Sequence, residues 1–276
     1  MDRYCVMGNP VEHSRSPWIH ARFAALTGQP VEYGKRLVPL DGFATALQAF
    51  RAEGGRGCNV TVPFKFEAAG LVTRRSARAA LAGACNTLHF EPAGLYGDNT
   101  DGVGLVHDLQ DNAGLSLAGR ELLLIGAGGA AAGVLGPLLE AKPRRIVIAN
   151  RTAGKAQALV ASHAALAQAC GVALSASGLS TVPGSFDVVV NGTASSLSGA
   201  EVPVPACVLR PGALACDMMY GPAAEGFLQW ARTHGAVGRD GLGMLVEQAA
   251  EAFLVWRGVR PPSGEVLAEL RRELAK

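Results

Sequence analysis

The stretch from Glu121 to Lys155 constrains the fold more than any other part of this 276-residue chain. It reads ELLLIGAGGAAAGVLGPLLEAKPRRIVIANRTAGK. Leu122 to Ile125 form a short apolar run of the kind that becomes a buried strand, and a glycine-rich turn follows at once. Gly126, Gly128 and Ala131 fit the G-x-G-x-x-G/A spacing of a dinucleotide-binding turn. The first glycine permits a tight turn, the second lets backbone amides approach a pyrophosphate, and the small third residue lets the helix pack against the strand. Gly126, Ala127, Gly128, Gly129 and Ala130 are therefore candidate cofactor contacts, on a helix predicted to run to about Glu140. A second strand, Ile146 to Ala149, ends in Asn150, where an NAD-binding fold usually carries an acid for the ribose 2′-hydroxyl. Arg151, Thr152 and Lys155 follow instead, and two cations with a hydroxyl suit a 2′-phosphate. The cofactor expected from these residues is NADP(H).

The alternatives for this stretch are weaker. No charge lies between Leu122 and Leu139, just long enough for a membrane span, but the glycines, Pro137 and the ordinary α/β flanks argue against one. A methyltransferase also uses a glycine-rich turn but wants an acid after the second strand. Composition agrees with an α/β enzyme, with 49% apolar and 17% charged residues. A net charge of +2 without a basic run gives no sign of nucleic-acid binding. The N-terminal MDRYCVMGNP lacks a signal-peptide core, and Cys5, Cys58, Cys85, Cys170, Cys207 and Cys216 show no metal or disulfide spacing. A cytoplasmic protein without a metal is expected.

In chain order, Tyr4 to Met7 reads as a strand that breaks at Gly8-Asn9-Pro10. Ser16 before Pro17 marks a helix start, with Ser16 as N-cap, and the helix stops at Gly28. Ser14 and Ser16 either cap that helix or, as two hydroxyls at its N-terminus, hold a carboxylate. Val31 to Val38 is a strand, and Asp41 caps a helix with Phe43, Leu47 and Phe50 inward. The strand Cys58 to Val62 carries NVTVPFK, and Lys65, between Phe64 and Phe66, is either a surface lysine or a proton-transfer candidate. Asn86 precedes the strand Thr87 to Phe90, and a hairpin through Pro92-Ala93-Gly94 returns to Asp98, Asn99, Thr100 and Asp101. Those four crowd a helix start near Gly102, where a domain boundary is drawn. Further on, strands are expected at Val172 to Leu174, Phe186 to Val190 and Ala213 to Asp217, the second ending in NGTASSLSG. A helix from Leu242 to Arg257 places Met244, Leu245, Ala249, Ala252 and Trp256 on its inner face, with Gln248 among them. A buried glutamine needs hydrogen-bond partners, from protein or ligand.

Seven motifs, GNPVEHSRSP, NVTVPFK, GACNTL, GDNTDG, GAGGAA, NRT and DGLGMLVEQAA, resemble the shikimate dehydrogenase family in order across nearly the whole chain. The resemblance implies an N-terminal α/β substrate domain and a Rossmann-type NADP-binding domain, with C-terminal helices returning to the first. In this chain those would be 1–101 completed by 240–276, and 102–239. It implies reversible reduction of 3-dehydroshikimate to shikimate by NADPH in the pathway to aromatic amino acids. By motif, Ser14 and Ser16 match hydroxyls that hold the substrate carboxylate, and Thr61, Asn86 and Gln248 match groups on the ring oxygens. Lys65 and Asp101 match the catalytic pair, with Asp101 also touching substrate. Tyr220 matches a substrate-side tyrosine, and Met218 with Gly241 match contacts near the nicotinamide. The partner implied is a small molecule, and the assembly a monomer or homodimer.

Those residue types suit the chemistry, because a ketone oxygen that gains charge needs a proton and a cationic neighbour, and Lys65 offers both. Two departures stand out. NGTASS replaces a loop that usually has alanine after the asparagine and serine two residues later, and Cys85 replaces a commoner valine. Two other readings are a quinate/shikimate dehydrogenase, which tends to carry the acid that this chain lacks, and a silent NADP-binding regulator, against which the intact Lys65 and Asp101 speak.

Overall fold

Short apolar runs alternating with helices build two separate six-stranded sheets. The computed structural model describes residues 1–193 and 202–275, and the chain divides into two units, Met1–Gly104 with Leu245–Lys276 and Leu105–Met244. The division falls after Gly104 and after Met244, each inside a helix.

The first unit contains β1 (Asp2–Gly8), α1 (Ser16–Thr27), β2 (Val31–Leu37), α2 (Phe43–Ala52), β3 (Gly55–Val60), α3 (Lys65–Leu71), β4 (Arg74–Arg75), α4 (Ala77–Ala82), β5 (Thr87–Glu91) and β6 (Gly94–Asp98). The next helix, α5 (Asp101–His107), runs on into a π-helical turn at Asp108–Asn112. The sheet order is β2-β1-β3-β5-β6-β4, with β1 parallel to β2 and β3, and β5 antiparallel to β3 and β6. Its core gathers Met7, Leu47, Val60 and Leu88, with Phe43 stacked on Phe64 at 5.1 Å.

Several local expectations shift. The first helix begins at Ser16 itself, with Arg15 at the cap position, and the Ser14 hydroxyl accepts a hydrogen bond from the Ser16 amide at 3.3 Å. Asp41 does not cap α2, because a turn closed by Gly42 N–H on Pro39 C=O puts Gly42 at the cap position. Helix α3 and the two-residue β4 were not expected.

The second unit contains β7 (Glu121–Ile125), α6 (Gly129–Glu140), β8 (Arg145–Ala149), α7 (Ala153–Cys170), β9 (Ala173–Ser177), β10 (Phe186–Asn191), β11 (Leu209–Asp217), α8 (Glu225–Thr233) and β12 (Val237–Arg239). All its strands run parallel, in the order β12-β11-β10-β7-β8-β9. Counted from β7, that is the doubly wound order whose reversal, here between β7 and β10, makes a ligand crevice at the strands' carboxyl ends. Glu121, 2% exposed at the start of β7, is held by the guanidiniums of Arg144, Arg145 and Arg210, as a buried carboxylate must be. Among the described residues no helix is long and apolar enough to cross a membrane.

The chain closes with α9 (Leu242–Arg257) and α10 (Ser263–Leu274). Helix α9 is buried on more than the expected face. Val246, Glu247, Ala250 and Phe253 are enclosed along with Ala249, Ala252 and Trp256, whereas Leu245 is half-buried. Its aromatic residues meet α1 and β2 around His20, whose imidazole stacks on Tyr33 at 4.2 Å with Phe23, Phe253 and Trp256 around it.

His20 is wholly buried, and neither ring nitrogen makes a hydrogen bond of acceptable geometry. Loss of hydration pushes its pKa down from 6.5 to about 3, opposed only by nearby Asn59. The unfolded chain therefore binds a proton at His20 that the folded chain refuses, so this stability is complete above pH 6.5 and is lost on acidification toward pH 3. His20→Phe should keep the stack and flatten the acid side of the stability curve. Thermal unfolding of both proteins from neutral to acid pH checks this, and equal slopes would refute it.

Candidate functional site

Residues far apart in sequence meet at the ends of β3, β5 and β6 and the start of α5. Lys65 opens α3, and its ammonium donates to Asp101 Oδ2 at 2.5 Å, the two side chains being 18% and 8% exposed. The flanking phenylalanines do not sandwich it. Successive residues on a helical path point about 100° apart, so Phe64 enters the core while Phe66 faces solvent, 54% exposed.

The other oxygen of Asp101 accepts from Asn86 Nδ2 at 2.8 Å. The same amide nitrogen reaches Thr100 Oγ1 at 3.0 Å and Gln248 Oε1 at 3.3 Å. Asn86 Oδ1 accepts from the Thr100 amide at 2.8 Å, and a backbone N–H can only donate, so the orientation of this side chain is fixed. Just ahead of α5, Asn99 Oδ1 accepts from the Asp101 amide at 3.2 Å. Asp98 turns away to a paired hydrogen bond with Arg78, at 2.7 and 2.6 Å. Lys65, Asn86, Asp101 and Gln248 are thus joined directly, while Ser14 and Ser16 meet each other at the start of α1. Thr61 follows β3, its amide bonded to Met7 C=O at 2.9 Å. Cys85, beside Asn86, is fully buried and its thiol pKa is pushed up to about 11, so it stays protonated and unreactive near neutral pH.

Gly104 sets how closely α5 and α9 approach. A Cβ there would lie 2.6 Å from both the Cβ and the backbone nitrogen of Gln248. The missing side chain is what lets Gln248 reach Asn86.

In the second unit Gly126 adopts φ +105°, and an added Cβ would lie 3.1 Å from Gly192 C=O. The turn therefore crosses the crevice between β7 and β10 with room for glycine alone. Gly128 stands in the extended cap position before α6, with nothing within 4 Å of where a Cβ would be. Ala127, Gly129 and Ala130 are partly exposed there, and Ala131 is fully buried against the sheet. At the end of β8, Asn150 Nδ2 donates to Thr152 C=O at 2.9 Å. Arg151, Thr152 and Lys155 are exposed, and neither cation forms an ion pair among the described residues. This donor set, lacking an acid at Asn150, fits an extra phosphate better than a bare ribose hydroxyl.

Beyond β10 and β11, Asn191 Nδ2 donates to the buried carboxylate of Asp217 at 3.0 Å, and the Asp217 carboxylate accepts the Met219 amide at 2.8 Å. The Gly241 amide bonds Met219 C=O at 2.8 Å, and a Cβ on Gly241 would collide with the Met218 backbone. Met218 and Tyr220 are half-buried beside this turn. Of the NGTASSLSG loop, Asn191, Gly192 and Thr193 fall among the described residues, and the remainder lies outside them. Gly192 packs tightly, since a Cβ would lie 3.2 Å from the Met218 methyl carbon. Sequence reasoning missed Asn59, Thr87, Thr100, Asn191 and Asp217 as organising residues. Their one signal was small polar side chains recurring at strand ends.

Comparison with known proteins places similarity along nearly the whole chain. Residues 6–88 match the family model described as shikimate dehydrogenase substrate binding domain, residues 108–199 that of shikimate / quinate 5-dehydrogenase, and residues 241–271 that of the shikimate 5'-dehydrogenase C-terminal domain. The chain is 68% identical over 274 residues to the shikimate dehydrogenase (NADP(+)) of Acidovorax sp. (strain JS42), covering 99% of this chain and 97% of the relative. Among solved structures it resembles an Ael1 enzyme from Pseudomonas putida, at 46% identity and a TM-score of 0.90 over 98% of both chains. It also resembles the shikimate 5-dehydrogenase of Thermus thermophilus in complex with NADP(H) and shikimate, at 31% identity and a TM-score of 0.84 over 99% of both.

The close approach at Gly104 generates a prediction opposed to helix propensity. Glycine to alanine inside a helix usually gains up to about 1 kcal/mol, but forcing a methyl into a packed contact costs about 1–3 kcal/mol. Gly104→Ala should therefore lower the unfolding midpoint by about 2–8 °C, read by differential scanning calorimetry. An unchanged or raised midpoint would mean that α5 and α9 have slack that the contact does not reveal.

Proposed function

The chain belongs to the shikimate dehydrogenase family, and on that footing we propose that it catalyses the reversible, NADPH-dependent reduction of 3-dehydroshikimate to shikimate. The observation that carries the mechanism is the contact of Lys65 with Asp101, braced by Asn86, in the unit that matches the substrate-binding model.

In this reading the first unit binds substrate. Ser14 and Ser16 offer hydroxyls to the carboxylate at the start of α1, where helix amides add favourable charge. Thr61, Asn86, Asp101 and Gln248 hold the ring oxygens, and Tyr220 adds a phenol from the substrate side. The second unit holds the cofactor. Gly126 to Ala130 present backbone amides to the pyrophosphate, Asn150, Arg151, Thr152 and Lys155 take the adenosine ribose and its 2′-phosphate, and Met218 and Gly241 line the nicotinamide. When bound, NADPH supplies the hydride.

The chain's own contribution is to the oxygen of the reacting ketone. Charge builds on that oxygen as the carbonyl is reduced, and the Lys65 ammonium stabilises it and then gives it a proton. Asp101 keeps the ammonium aimed. In the reverse direction the neutral amine takes the hydroxyl proton back. Asn86 donates to Asp101 and thereby holds the second carboxylate oxygen toward Lys65.

A spectrophotometric assay of shikimate or quinate against NADP or NAD tests the reaction, and turnover confined to quinate with NAD would overturn it. Lys65→Ala should lower turnover by about two to four orders of magnitude, the usual worth of a positioned acid/base, with a far smaller change in substrate affinity. Near wild-type turnover in that variant would remove Lys65 from the mechanism. Arg151→Ala should weaken NADP binding roughly ten- to a hundredfold, the range for a hydrogen bond to a charged group, and leave NAD nearly unaffected. Binding titrations with both cofactors decide this, and parallel losses would mean that the basic tip does not read the phosphate.

A further inference from the structure

A run of buried hydrogen bonds leaves Asp101 in the direction away from Lys65. Asn86 Oδ1 accepts from the Thr87 hydroxyl at 2.9 Å. The Thr87 oxygen accepts in turn from Asn59 Nδ2 at 3.1 Å, and that same nitrogen donates to Asn86 C=O at 3.2 Å. Asn59 Oδ1 then accepts from the Tyr33 hydroxyl at 2.7 Å. Asn59, Asn86, Thr87 and Asp101 are each no more than 6% exposed, so water does not compete for these groups.

The direction of every bond in this run is dictated. An ionised Asp101 only accepts, and the Thr100 amide only donates, so Asn86 has one orientation. With Asn86 Oδ1 an acceptor, Thr87 must donate to it. Asn59 faces a backbone carbonyl, which only accepts, so its nitrogen lies toward Asn86 and Thr87 and its oxygen toward Tyr33. Tyr33 must therefore donate. The phenol also has the Ser16 hydroxyl as a neighbour. The Tyr33 ring is itself fixed by the stack on His20.

We propose that Tyr33 and Thr87, joined through Asn59, are positioning residues for the Lys65–Asp101 pair, holding Asn86 so that Asp101 presents one oxygen to the ammonium. This rests on the reading of Lys65 and Asp101 as the catalytic pair. A satisfied network of this kind restrains its members together, because each bond polarises the next and no member can turn without leaving a buried group unpaired. Removing the Thr87 hydroxyl takes a donor from Asn86 and an acceptor from Asn59, while Thr87→Val keeps the shape. Removing the Tyr33 hydroxyl takes the donor from Asn59 Oδ1, four hydrogen bonds from the lysine along the run, and a neighbour from the Ser16 hydroxyl. The effect should therefore diminish with distance along the run.

The test is a double-mutant cycle with separate kcat and KM. Thr87→Val should lower kcat about 3- to 20-fold, with KM for 3-dehydroshikimate and for NADPH within about twofold. Tyr33→Phe should lower kcat by a smaller factor with KM for NADPH within about twofold, and Thr87→Ser, which keeps the hydroxyl, should restore most of the Thr87→Val loss. In an Asp101→Asn background the carboxylate that the run positions is gone, so adding Thr87→Val should change the residual kcat less than about twofold. A loss of equal size in both backgrounds, or one that Thr87→Ser shares, would overturn the proposal and leave Thr87 a packing residue. A second readout does not depend on turnover. The Asn86 side-chain amide, assigned by NMR through an Asn86→Asp variant, should move and exchange faster with solvent in Thr87→Val but not in Thr87→Ser. If wild type does not turn over 3-dehydroshikimate, the functional reading fails while this amide still reports on the run. An amide unmoved by Thr87→Val overturns the run whatever the activity.

Discussion

An ammonium 2.5 Å from a carboxylate, both largely withdrawn from water, is the contact on which the first unit is centred. Burying two charges costs several kcal/mol each, and their attraction offsets that only when the remaining donors and acceptors are satisfied. The chain meets that condition for Asp101 through Asn86, and for Asn86 through the Thr100 amide and the Thr87 hydroxyl. Each requirement selects a secondary-structure element. The start of α3 supplies the lysine, the start of β5 the Asn86-Thr87 pair, and the start of α5 both the carboxylate and the amide. The sheet exists around the site because three separate chain segments must end at one place.

Close approach of backbones is the second constraint, and Gly104 and Gly126 are two of the glycines that provide it. Gly104 lets α5 abut Gln248, and Gly126 lets the phosphate turn cross beside Gly192. The two work by different physics. Gly126 needs its positive φ, which disfavours other residues even in open space. Gly104 is an ordinary helical residue whose only virtue is the absent methyl. Substitutions there act through packing, not through backbone strain.

The cofactor half was legible because its information is local. Strand, turn, helix and basic tip follow one another within Glu121 to Lys155, and the periodicities that mark them need no distant partner. The parallel sheet and its order follow from repeating that unit. The resemblance across seven motifs pointed to Lys65 and Asp101 as a pair, but residue spacing alone did not, since they are 36 positions apart and meet only through the sheet. Where local cues were weak, the reading slipped. Helix α3 has no capping side chain, β4 has two residues and β12 three, too few for a period to show. Asp41 looked like a cap by type, yet the turn from Pro39 to Gly42 moved the helix start past it. Thr87 and Tyr33 read as ordinary strand residues because nothing in a strand's alternation distinguishes a packed hydroxyl from a bonded one.

Order at the two proposed charge-handling sites differs for a physical reason. In the proposed mechanism Lys65 acts on charge that exists only fleetingly on the reacting oxygen, so its position must be set beforehand, and buried hydrogen bonds set it. Arg151 and Lys155, in the proposed role, meet a phosphate that carries its charge throughout, and they are exposed and without ion pairs among the described residues. Such side chains lose rotamer freedom when they close on a ligand, which limits their net contribution and makes it sensitive to salt. That arrangement suits a group that must be released every turnover. A tip as tightly braced as the lysine would hold the spent cofactor longer, and product release sets the rate of many enzymes. A lysine as loose as the tip would need to be ordered within each catalytic event. Buried, braced placement suits a site where charge develops, and exposed charge a site that a ligand must leave.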